Sequence, residues 1–86
     1  MRFEYDLDVL KPHSPSIDYI ARALVEVNGV LDVRVKLVEL DQKTASLQIH
    51  ITGDDLSLEV ITEKLTSLNC AIHSVDEISI CEKEDT

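Results

Sequence analysis

Apolar and polar residues alternate singly along the opening of the chain, with Phe3, Tyr5, Leu7 and Val9 set against Glu4, Asp6 and Asp8. That is the period of a strand with one buried face. Pro12 has no N–H for a ladder, so it ends the strand and holds Lys11 extended. Ser14-Pro15 reads as a helix start, with serine as N-cap and proline at N1. Ile17, Ile20, Ala21, Leu24, Val25 and Val27 form a helical stripe. Asn28-Gly29 should stop that helix, with Gly29 in the left-handed C′ position.

Alternation then resumes. Leu31, Val33, Val35 and Leu37 predict a second strand, Asp41 to Thr44 a turn, and Ala45, Leu47, Ile49 and Ile51 a third strand. Gly53-Asp54-Asp55 breaks it and offers Asp55 as the next N-cap. Leu58, Ile61, Leu65 and Leu68 mark a second amphipathic helix, which Asn69 closes in the left-handed region. Cys70 to about Ile80 predicts a final strand, with a bulge or bend where its alternation fails at Val75-Asp76-Glu77.

The element order is βαββαβ. Two right-handed crossovers interlock into a four-stranded antiparallel sheet of order 4-1-3-2 with both helices on one face, an α+β, ferredoxin-like plan. The expected core is Leu7, Val9, Ile20, Leu24, Val35, Leu47, Ile49, Ile61, Leu65 and Ile72. Residues 1–80 read as the domain and 81–86 as a flexible acidic tail.

The uncovered sheet face should carry Glu4, Asp6 and Asp8 beside Ser46, Gln48, His50 and Thr52, with Arg34 and Lys36 one strand further out. Parity also places Val38 and Leu40 on that face. Arg34, Lys36, Val38 and Leu40 are therefore the expected interface. A head-to-tail contact between a basic and an acidic surface closes into a ring or runs into a filament.

Composition narrows the function. The chain has 86 residues, enough for one domain with a small core. Its formal charge of −9 opposes nucleic acid and anionic membranes, both of which need clustered Lys and Arg. Phe3, Tyr5 and Tyr19 are its only aromatics, too few for a base-stacking platform. Cys70 and Cys81 lie up to ~36 Å apart on extended chain, beyond disulfide reach. Together with the lack of a signal-peptide pattern or a span of ~20 apolar residues, this predicts a cytoplasmic protein.

The segments LDVLKPHSPSI at 7–17, VELD at 38–41 and AIHSVDEI at 71–78 resemble a small archaeal family known as domain of unknown function two hundred and eleven. The resemblance runs from Arg2 to about Ser79, and Ile80 to Thr86 departs from it. It implies the ferredoxin-like fold, an archaeal source and a homo-oligomer, in ring form; it implies no established activity. The positions most like the family are Asp8, Lys11, Pro12, His13, His73, Ser74, Asp76 and Glu77.

Topology brings several of these to one edge of the sheet. Asp8, His13, His73 and Asp76 are the candidate ligands for a divalent cation, zinc if imidazole leads and calcium if carboxylates do. Their spacing matches no established metal motif. Cys70 and Ser74 are the only nucleophiles near a histidine. Cys70 follows a helix C-terminus, the wrong end of the dipole for lowering a thiol pKa. No catalytic motif is complete. The expected function is a self-associating structural or ligand-binding module rather than an enzyme. The alternative is a metal-dependent sensor or enzyme using the edge residues.

Overall fold

A computed structural model of the chain describes residues 1–82. The elements are β1 (Arg2–Pro12), α1 (Ile17–Val25), β2 (Val30–Leu40), β3 (Thr44–Asp54), α2 (Leu58–Ser67) and β4 (Ala71–Cys81). They form one antiparallel sheet of order β2-β3-β1-β4. Residues Leu7, Val9, Leu47 and Ile49 of the central strands share a buried cluster with Ile20 and Leu24 of α1 and Ile61 and Leu65 of α2. Both helices therefore cover the same sheet face, as the βαββαβ plan requires. β4 runs through Cys81, which pairs with Arg2; Glu82 follows it exposed, and 83–86 of the expected acidic tail lie outside the described residues.

The local signals act at slightly different places from those the sequence suggested. Ser16, not Ser14, caps α1 and accepts the Tyr19 N–H at 3.2 Å. Ser14 and the cis-linked Pro15 lie in the preceding loop. Ser57, not Asp55, caps α2 through the Val60 N–H at 3.3 Å, while Asp55 turns the chain at φ +50°. In both cases two good capping residues stand two positions apart. The packing of Ile20 and Ile61 onto the sheet selects the later one.

α1 ends at Val25, because the Val27 N–H closes onto Leu24 O at 3.1 Å and tightens the last turn. Gly29 is therefore not C′; it lies further on, at φ +91° in the turn into β2. Asn69 does close α2, at φ +64°. The chain's two glycines meet one another. A Cβ at Gly29 would strike Asp54 O, and one at Gly53 would strike Gly29 O, so neither position has room for a side chain.

Eight of the ten expected core residues are fully buried, whereas Val35 and Ile72 are only half-buried. The reason is length. Helices of nine and ten residues span about 14–15 Å at 1.5 Å per residue. Strands of eleven residues span about 36 Å. The helices shield the central strands and leave much of the edge strands bare.

Bulges separate the edges from the centre. β1 and β3 pair one to one without interruption from Arg2↔Asp54 to Pro12↔Thr44. β4 shifts register twice against β1: Ser74 pairs with Asp8 and Glu77 with Asp6, while His73 and Asp76 are the extra residues that the register skips. The irregularity expected at Val75-Asp76-Glu77 is there; the second, at His73, is additional. β2 also shifts twice, at Leu31 and at Val38.

Candidate functional site

Chemistry-bearing side chains gather on the uncovered sheet face. The register Asp6↔His50 places an imidazole beside a carboxylate across the two central strands. His50 Nδ1–H donates to Asp6 Oδ1 at 2.8 Å, since an ionised carboxylate can only accept. On the other side of the ring, His50 Nε2 lies 3.3 Å from Glu4 Oε1 and 3.3 Å from Thr52 Oγ1. The His50 and Asp6 side chains are about three-quarters buried, at 25% and 27% exposure, and Glu4 is more open at 46%. Across β2, Arg34 pairs with His50, Lys36 with Gln48 and Asp32 with Thr52. The acids beside His50 were legible from strand order, but its position between two carboxylates requires the one-to-one register of β1 on β3.

The edge residues are arranged differently. Asp8 is half-buried between Gln48 of β3 and Ser74 of β4. His73 is exposed at its bulge, and the exposed Asp76 accepts the Ser74 hydroxyl at 2.6 Å. His13 is exposed on the loop after β1. Among the described residues, no group of three or more His, Cys, Asp or Glu is placed to share a metal ion, so Asp8, His13, His73 and Asp76 do not form one constellation. Glu77 pairs with Asp6, and Asp76 is the extra residue of the bulge between Glu77 and Val75.

The loop carrying His13 is held from beneath. Lys11 is only 7% exposed, and its Nζ donates to Pro12 O at 2.6 Å and to His13 O at 3.1 Å. Its charge also reaches the buried Cys70. Burial raises that thiol's pKa, and the Lys11 ammonium works in the opposite direction. A buried thiol with a raised pKa is a poor nucleophile. Cys81, at the other end of β4, is free and exposed.

The expected interface is split between faces. Arg34 and Lys36 lie on the uncovered face, opposite His50 and Gln48. Leu40 does not. The bulge at Val38 shifts the parity of β2, and Leu40 pairs with Ala45 on the helix-side face. Leu37, Val38 and Leu40 remain 46%, 61% and 69% exposed. β4 has its own exposed apolar set in Val75, Ile78 and Ile80. Among the described residues, no helix is long and apolar enough to cross a membrane.

The fold and this polar face define a small ferredoxin-like α+β domain built of one helical layer on a long sheet. The chain belongs to the DUF211 family, described as uncharacterized ArCR, whose profile matches residues 5–84. It is similar to the uncharacterized protein MJ0319 of Methanocaldococcus jannaschii, with 36% identity over 72 residues, 84% of this chain and 74% of that relative.

Proposed function

We propose that the protein is a cytoplasmic, self-associating module in which the β2 edge of one subunit meets the β4 edge of the next. The observation that carries this reading is the contrast between those edges. β2 brings Arg34 and Lys36 with exposed Leu37, Val38 and Leu40; β4 brings Asp76 and Glu77 with exposed Val75, Ile78 and Ile80. β2 also carries Asp32 and Glu39, so the attraction centres on the middle of that strand. Apolar side chains supply the driving force and charges set the register. Two different patches make a heterologous contact, which closes into a ring where the rotation between subunits returns to its start and otherwise runs into a filament.

The two bulges in each edge strand work against a continuous ladder between subunits. The proposed contact is therefore made by side chains. Light scattering at about 100 µM should report a mass above that of the 9.7 kDa chain. Arg34→Glu combined with Lys36→Glu should lower that mass at moderate salt, where exposed charges still interact over ~8–10 Å. A wild-type protein that remains monomeric at this concentration would rule the reading out.

A further inference from the structure

We infer that successive subunits join with their uncovered sheet faces on the same side, so that Glu77 of one copy lies against Arg34 and Lys36 of the next. The inference rests on the edge contact proposed above. It starts from how each edge divides between the two faces of the sheet. On β2, Arg34 and Lys36 are exposed and pair with His50 and Gln48, on the uncovered face. Leu37 and Leu40 pair with Leu47 and Ala45, on the helix side, and are exposed. On β4, Glu77 pairs with Asp6, on the uncovered face. Val75, Ile78 and Ile80 pair with Leu7, Tyr5 and Phe3, on the helix side, and are exposed.

Both edges therefore present charge on one face and apolar side chains on the other. With the faces matched, cations meet an acid and apolar side chains meet apolar ones in a single contact. Turning one subunit over sets Leu37 and Leu40 against Glu77, and Val75, Ile78 and Ile80 against Arg34 and Lys36. The charges would then lose water without gaining a partner. Two β4 edges brought together about a twofold axis would set acid beside acid.

Glu77 can serve both cations. Arg34 and Lys36 are two residues apart on one strand face, about 7 Å. Long side chains reach diagonal as well as direct neighbours across a pair of strands. Asp76, the extra residue of the bulge, already accepts the Ser74 hydroxyl at 2.6 Å. Among the described residues, Glu77, Arg34 and Lys36 make no ion pair within their own subunit. Joined this way, subunits keep all helices on one side of the shared wall. His50 with Glu4 and Asp6 recurs at each step along the other side.

Charge exchange reads this contact directly. Glu77→Arg alone should lower the assembly mass, as Arg34→Glu with Lys36→Glu does. Adding Glu77→Arg to that double variant should return the mass to the wild-type value by light scattering at the same concentration and salt. Glu63→Arg makes the same charge change on exposed α2 surface and should restore nothing. Glu77 is exposed, so its exchange leaves the core untouched, and circular dichroism establishes that each variant is folded. In assembled wild-type protein, three results overturn the pairing and leave self-association standing. They are a mass unchanged in Arg34→Glu with Lys36→Glu, no recovery with Glu77→Arg, and equal recovery with Glu63→Arg. A monomeric wild type overturns the edge contact itself, and the pairing with it.

Discussion

The central and edge strands of this sheet have the same length but solve different problems. β1 and β3 pair residue for residue over eleven positions and bury every second side chain beneath two helices. β2 and β4 each carry two bulges and keep large apolar side chains in solvent. A strand flanked on both sides has its register imposed twice. A strand with one neighbour can take an extra residue, twist, and re-aim its side chains. In this chain the centre supplies stability and the edges supply surface.

That division has its largest test in the core. Ile49→Ala should cost about 2–5 kcal/mol, since it leaves a cavity in a fully buried site. Ile78→Ala, half exposed on β4, should cost less than about 1 kcal/mol in the dissociated chain. Comparable losses in urea melts would erase the distinction. A greater loss for Ile78→Ala in the assembled protein alone would sharpen it.

Gly53 tests the centre by addition rather than removal. Gly53→Ala must displace the Gly29 carbonyl, the Leu56 side chain and the Val30 backbone together, and overpacking of this kind costs roughly 1–3 kcal/mol. A neutral melt would mean that the turn before β2 yields easily.

The smallest expected effect lies at Cys70, just before β4. The Cys70 thiol holds its proton more tightly folded than unfolded, because burial raises its pKa. As pH rises, the unfolded chain loses that proton first. The stability present below the ordinary thiol pKa is therefore lost as pH climbs through the raised folded value. Burial also raises Tyr5, which adds a loss of the same sign at higher pH. Cys70→Ala should flatten the first part of this alkaline decline in denaturant melts across pH. An unaltered decline in Cys70→Ala would assign it to other groups.

How far the sequence could be read follows the same division. Alternation in Leu7, Val9, Leu47 and Ile49 placed the central strands and their buried face, because nothing interrupts it. On the edges a single extra residue inverts every later parity. Leu40 was thus expected beside Arg34 and is found on the opposite face, and Asp76 drops out of the register between Glu77 and Val75. Val35 and Ile72 alternate correctly and are still only half-buried, since helix length, not strand pattern, decides what is covered. The helix starts show a different limit. Ser14 and Ser16, or Asp55 and Ser57, are equally good caps locally, and only tertiary packing chooses between them. Strand order put acids next to His50, but the register that sets Asp6 and Glu4 on opposite nitrogens of its ring emerges only when the strands are aligned.

Lys11 has a consequence for how interior and surface communicate. Its ammonium sits on the covered side of the sheet yet holds two carbonyls of the loop that displays His13. The loop is thus moored from inside, and the tether is one side chain. Exchanging Lys11 for methionine keeps the aliphatic stem and removes the mooring. The amides of His13, Ser14 and Ser16 would then report the change, while those of β1 and β3 stay protected. An event in the protein's dry interior would become visible at a surface loop without any rearrangement of the sheet between them.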